Sequence, residues 1–177
     1  AGDTIYTNGV TIPADEIIVD GTFIFENVES EINLQDGPGT DLLVNGRLLL
    51  IEGTKISGTG TIEFTSGSQL YLLGGVMDGT FITNILAGAS VSVTDSISSN
   101  PSQLWNLTIN NFSDDFVISS AGLMLNDAIL NNSGILSLIG DISITGNGTI
   151  NNTGTLFKGG STNYVSFDSA ITFNNAT

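Results

Sequence analysis

The sequence predicts an all-β protein, a right-handed parallel β-helix (β-solenoid) with coils of about 20 residues, and three observations carry that reading. An apolar residue followed by two asparagines recurs as Ile109-Asn110-Asn111, Leu130-Asn131-Asn132, Ile150-Asn151-Asn152 and Phe173-Asn174-Asn175, in near-equal steps of about 20 residues. Apolar residues make up 40% of the 177 residues and charged residues only 12%, so Gly, Asn, Ser and Thr must cover the surface. That composition suits short strands joined by polar turns rather than helices. Strand-length apolar runs are also punctuated throughout by Gly-Thr, Asn-Gly, Asp-Gly and Ser-Gly, and no long stretch carries the spacing of an amphipathic helix.

In chain order the expected strands begin with Glu16-Ile17-Ile18-Val19, Thr22-Phe23-Ile24-Phe25, Leu48-Leu49-Leu50-Ile51, Thr61-Ile62-Glu63-Phe64, Leu70-Tyr71-Leu72-Leu73 and Ser90-Val91-Ser92-Val93. They continue with Leu107-Thr108-Ile109, Phe116-Val117-Ile118, Leu136-Ser137-Leu138-Ile139, Ile142-Ser143-Ile144 and Val165-Ser166-Phe167. A coil of about 20 residues holds three strands of roughly 3 to 5 residues with their turns, whereas a β-sandwich would require longer strands and no fixed repeat. Strands stack about 4.8 Å apart, so roughly eight coils make a rod about 40 Å long. The right hand is the near-universal one for parallel crossovers.

One solenoid domain spans 1–177, with irregular coils over 1–104 and regular coils over 105–177. In the first part, Asp20-Gly21-Thr22-Phe23, Asn45-Gly46-Arg47-Leu48 and Asp78-Gly79-Thr80-Phe81 resemble one another at uneven spacing. Loops such as Asn33 to Thr40 are expected to project there, and Ser98 to Ser102 to form another irregular connection. In the second part Ile109, Leu130, Ile150 and Phe173 should stack as one inward column. The paired residues Asn110, Asn111, Asn131, Asn132, Asn151 and Asn152 read as a structural ladder at a turn. One member of each pair is expected in the left-handed conformation and the other bonded to the backbone of the next coil.

The chain carries 18 acids against three bases, a net charge of -15. Phosphate neutralisation needs clustered Lys and Arg, so nucleic acid is not an expected partner, nor is an anionic membrane surface. Histidine and cysteine are both absent, which excludes imidazole catalysis and thiolate metal sites. No apolar stretch is long enough for a membrane-spanning helix. The opening Ala1-Gly2-Asp3-Thr4 is what signal-peptide cleavage or trimming would leave.

The segment Leu104-Trp105-Asn106-Leu107-Thr108-Ile109-Asn110-Asn111, followed by strand, glycine and strand, resembles the repeat phrase of secreted and cell-surface, adhesin-like β-helical repeat proteins of gliding-type bacteria. Val10-Thr11-Ile12-Pro13-Ala14 and Val19-Asp20-Gly21-Thr22-Phe23 are similar to the first coil of that group. The resemblance implies a secreted or cell-surface structural or adhesive module without catalysis, and its phrases bring no catalytic residues with them.

Other chemistries rest on few residues. Polysaccharide lyases and hydrolases need clustered carboxylates, usually beside Arg or Lys. Asp114-Asp115 is the lone adjacent Asp pair, with Arg47 and Lys55 the bases around which a substrate groove would have to form. No enzyme activity is therefore expected, and the alternative to a structural module is a carbohydrate-binding or polysaccharide-processing β-helix. Trp105, Tyr6, Tyr71 and Tyr164 are scattered along the chain, although a solenoid can bring distant coils together. No cofactor is expected beyond calcium, for which Asp36 and Asp41 in Asp36-Gly37-Pro38-Gly39-Thr40-Asp41 supply hard oxygen ligands. Glycosylation candidates are Asn106, Asn111, Asn131, Asn147, Asn151 and Asn175. A solenoid also ends in unpaired strand edges, so expected partners are other copies of the chain stacked head to tail into a filament, adjoining solenoid segments, or surface glycans.

Overall fold

In the computed structural model, which describes residues 3–26, 29–94, 100–119, 122–160 and 164–176, strands pair in parallel along a three-faced rod. Face A is an eight-stranded sheet, one strand per coil: β1 (Thr4–Asn8), β4 (Thr22–Glu26), β7 (Arg47–Ile51), β9 (Gln69–Leu73), β11 (Ser90–Thr94), β14 (Phe116–Ser119), β17 (Ile135–Ile139) and β20 (Thr155–Gly159). Face B is formed by β2 (Thr11–Ala14), β5 (Glu31–Gln35), the first part of β8 (Lys55–Phe64) and of β10 (Val76–Ile85), β12 (Ser102–Trp105), β15 (Gly122–Asn126), β18 (Ile142–Gly146) and β21 (Val165–Phe167). Face C takes β3 (Ile17–Val19), β6 (Leu42–Val44), the later parts of β8 and β10, β13 (Thr108–Asn111), β16 (Ile129–Asn132), β19 (Thr149–Asn152) and β22 (Thr172–Asn175).

Alternation along each strand sends every second side chain inward, so register turns a sequence pattern into columns. On face A, Phe23, Leu48, Leu70, Val91, Phe116 and Leu136 lie above one another, as do Phe25, Leu50, Leu72, Val93, Ile118 and Leu138. Most of these are at most 2% exposed. The expected column Ile109–Leu130–Ile150–Phe173 forms on face C, with Phe173 half-buried in the last coil. Each such side chain removed from water contributes roughly 1.5–3 kcal/mol.

Two strands are longer than a single face allows. β8 and β10 have 10 residues each and run around the corner from face B to face C, which joins these two faces into one 14-stranded sheet. Stacked glycines make the bend: a Cβ on Gly79 would lie 2.2 Å from the Gly58 carbonyl oxygen, and one on Gly58 2.2 Å from that of Leu34. With no side chain at this corner, the strand turns without leaving the ladder.

Coil length varies first and settles later. On face A the pairing of Thr4 with Thr22 closes a short coil and that of Thr22 with Arg47 a long one, whereas Phe116, Leu136 and Leu156 follow at equal steps. The expected loop from Asn33 is shorter than anticipated, because Asn33, Leu34 and Gln35 complete β5 and only the residues after them leave the sheet. Alternation explains this: Ile32 and Leu34 are both inward residues of that strand. Ser102 likewise belongs to β12 rather than to a connection; it is buried, and its Oγ accepts a bond from the Gly74 amide at 3.1 Å. Residues 95–99, including Ser98, lie outside the described residues, as do Ala1 and Gly2.

Candidate functional site

The asparagine pairs end the strands of face C, so alternation points one member of each pair outward and the other inward. The outward members form a half-buried ladder. Asn110 Nδ2 donates to Asn84 Oδ1 at 2.9 Å, Asn131 to Asn110 at 2.9 Å, Asn151 to Asn131 at 2.9 Å and Asn174 to Asn151 at 2.8 Å. The inward members form a second ladder that runs the other way. Asn111 donates to Asn132 at 2.6 Å, Asn132 to Asn152 at 2.6 Å and Asn152 to Asn175 at 2.7 Å. Asn111, Asn132 and Asn152 are at most 3% exposed, so these amides are interior groups satisfied by one another.

The inner amides also hold the corner from face C to face A. Asn111 Oδ1 accepts the Ser113 amide at 3.1 Å and the Ser113 hydroxyl at 2.8 Å, while Asn132 Nδ2 reaches the Thr155 carbonyl of the next coil at 3.2 Å. The expected bond to the next coil's backbone is therefore present. The expected left-handed residue is not: both members of each pair sit in strands, and the positive-φ residues Asn106 (60°) and Asp127 (51°) precede face C at the opposite corner. An in-register ladder needs extended backbone at its rungs, so the sharp turn is made where no rung is required. Asn84 belongs to the outer ladder without belonging to a repeated phrase, since it stands between Thr83 and Ile85; a lone asparagine in an apolar strand was the available signal.

Above the ladders the same columns change character. The outer one continues as Asn84, Glu63, Leu43 and Ile18, and the inner one as Ile85, Phe64, Val44 and Val19. At the other end, Lys158 occupies the inward position beneath Leu138 on face A. Its ammonium bends to the carbonyl oxygens of Gly159, at 2.8 Å, and Gly140, at 3.3 Å, so the stem covers apolar surface while the charge stays at the rim.

The remaining sequence candidates are dispersed. Asp41 is buried, its Oδ1 accepting the Gly37 amide at 2.9 Å and its Oδ2 the Thr61 amide at 2.6 Å, which ties the connection before face C to the next coil. Gly60 leaves room for it, since a Cβ there would sit 2.2 Å from Asp41 Oδ2. Asp36 is exposed with φ 57°. Among the described residues no group of three or more His, Cys, Asp or Glu side chains could hold a metal ion. Asp114 and Asp115 are both exposed in the connection between β13 and β14, so the alternation of a strand does not govern them. Arg47 and Lys55 are on different faces, A and B, and frame no common groove. Lys55 lies between Glu31 (3.6 Å) and Asp78 (3.7 Å), and the Ser57 hydroxyl also bonds Glu31. This charged cluster was invisible in sequence because its members come from three coils.

Of the glycosylation candidates, Asn106, Asn147 and Asn175 are exposed at corners and the last coil, Asn131 and Asn151 are half-buried rungs, and Asn111 is an interior rung. Among the aromatics, Trp105 lies outward on face B and Tyr164 precedes β21, whereas Tyr6 and Tyr71 share one outward column of face A. No family model, no curated protein and no solved structure matches the chain.

Proposed function

We propose that this protein is a non-catalytic extracellular structural or adhesive β-solenoid module of the secreted or cell-surface kind, in which the rod itself is the working part. The observation that carries the proposal is the pair of asparagine ladders, which bond coil to coil along the rod. At Asn174 the outer ladder presents an acceptor Oδ1, and at Asn175 the inner ladder presents a donor Nδ2, since each bonds only the coil before it within the ladder. A further coil with an Asn-Asn pair at this position would meet both, as each preceding coil does. Carbohydrate processing is the weaker alternative, because the acidic pair and the two bases lie apart on the rod.

The ladder also says what fits poorly on that edge. Head-to-tail stacking in register would set Ile18 and Val19 of a second copy beneath Asn174 and Asn175, and Thr7 beneath Lys158. Amides buried against Ile18 and Val19 would lose water without gaining partners, whereas Lys158 keeps its carbonyl partners and meets the Thr7 hydroxyl. An adjoining solenoid segment bearing asparagine is therefore favoured over a homopolymer. Electron microscopy of native material with light scattering of the isolated chain tests this. Separate rods, or a rod continuous with a longer stalk, support it; filaments built from the isolated chain overturn the favoured version.

A further inference from the structure

Face A carries an outward stripe that no part of the rod's packing requires. Register places Tyr6, Ile24, Leu49 and Tyr71 one above another over the first four coils, with Ile51 and Leu73 forming a shorter column beside Leu49 and Tyr71. Tyr6 is 60% exposed and the other five are half-buried. The two tyrosines are three strand spacings apart, about 14 Å. On the opposite flank runs the polar column Thr22, Arg47 and Gln69, which lines an open groove of about 300 Å³ together with Asp20 and corner glycines.

Two groups in that groove lack partners. Gln69 Oε1 is buried without a hydrogen bond, although buried polar atoms are nearly always paired. Arg47 has no ion-pair partner among the described residues, whereas Lys55 lies between two acids and Lys158 bonds two carbonyls. Asp20, the acid of this groove, accepts from Asn45 Nδ2 at 2.8 Å, so in a chain of net charge -15 the exposed Arg47 guanidinium stands beside the stripe without an ion pair among the described residues.

We infer that this stripe and groove bind a glycan strand lying along the rod axis, its sugar-ring faces on Tyr6 and Tyr71 and an isolated uronate carboxylate at Arg47. The chemistry matches on both flanks. Apolar and aromatic side chains meet the C–H faces of pyranose rings, while Thr22, Gln69 and the phenol groups exchange hydrogen bonds with hydroxyls. Arg47 offers a carboxylate a bidentate partner. The chain's net charge selects against a polymer with a carboxylate on every sugar and for one with carboxylates spaced out.

Other occupants fit less well. A peptide that binds by strand addition finds no free edge here, because the strands of this face are already paired coil to coil. A second copy packed face to face about a two-fold axis along the rod and centred on the stripe sets Arg47 against Ile51, where a guanidinium would lose water without a partner. The inference deepens the adhesive side of the proposed function and rests on it.

The test is calorimetric titration of the full chain with glucuronoxylan oligosaccharides, neutral xylohexaose and polygalacturonate. The acidic xylan should bind best; Tyr6→Ala and Tyr71→Ala should each weaken it about tenfold, and Arg47→Gln should reduce it to the level of xylohexaose. Tyr164→Ala, an 82% exposed tyrosine off the stripe, should change nothing. Absence of binding, equal affinity for acidic and neutral xylans with Arg47→Gln silent, or dimerisation abolished by the tyrosine substitutions would each overturn the inference. Appearance of cleaved oligosaccharide would instead sink the non-catalytic reading while leaving the site in place, and loss of binding leaves the rod's structural role untouched.

Discussion

The inward column that closes face C is built in two ways. In the first four coils it is Val19, Val44, Phe64 and Ile85, and in the last four Asn111, Asn132, Asn152 and Asn175. Both versions are buried down to the penultimate coil, so exposure does not distinguish them. The apolar column is held by contact and tolerates uneven coils, such as the long one between Thr22 and its partner Arg47. The polar column is held by directed bonds, and where it runs unbroken the face A steps from Phe116 to Leu136 and from Leu136 to Leu156 are equal. Hydrogen bonds with distance and angle limits penalise a slipped register, whereas dispersion contacts penalise it less sharply. The rungs lie 21, 20 and 23 residues apart, so the ladder fixes the register of face C while a connection between faces still absorbs extra residues.

The comparison can be broken most forcefully by putting the polar residue where no ladder exists. Val44→Asn strands an amide between Val19 and Phe64, and urea unfolding should show a loss of about 4 kcal/mol. Removing a rung comes next. Asn132→Leu leaves the Asn111 Nδ2 and the Asn152 Oδ1 without their ladder partners, an expected cost of about 3 kcal/mol by the same measurement. Replacing Asn111, Asn132 and Asn152 together by Leu should recover part of that loss, because no half-made bond remains between them.

Ile85→Asn sharpens the comparison instead, since Asn111 lies directly beneath it. Its cost should be about 2 kcal/mol, half that of the same change at Val44, and equal losses at the two positions would show that the ladder offers no site for extension. The smallest effect belongs to the outer ladder. Asn131 is half-buried and its neighbours can turn to water, so Asn131→Ala should lower stability by about 1 kcal/mol or less.

Much of this architecture was legible in the chain, for a physical reason: a solenoid repeats one local problem, and each coil solves it with similar residues. The Asn-Asn phrase therefore revealed the coil length and the inward column Ile109–Leu130–Ile150. It did not reveal the conformation of its own asparagines, because Asn by itself favours turns over strands and only the bonds from neighbouring rungs hold it extended. Asp41 looked like an ion ligand because it follows the glycine-rich run Gly37-Pro38-Gly39, but its carboxylate is bound to the amides of Gly37 and Thr61, the second from the following coil. The tyrosine stripe was hidden for a similar reason: Tyr6 and Tyr71 become neighbours in one column only through intervening coils of unequal length, as Thr4, Thr22, Arg47 and Gln69 pair in turn.

The opposite directions of the two asparagine ladders have an electrical meaning. Each line of side-chain amides, taken alone, would add its dipoles head to tail along the rod as peptide units do in a helix, building partial charge at its ends. The outer line points its N–H groups toward the first coils and the inner line toward the last, so the two fields oppose one another over the coils they share. Adding a rung to both lines leaves that balance unchanged, and a rod built this way can be lengthened coil by coil without polarising its ends.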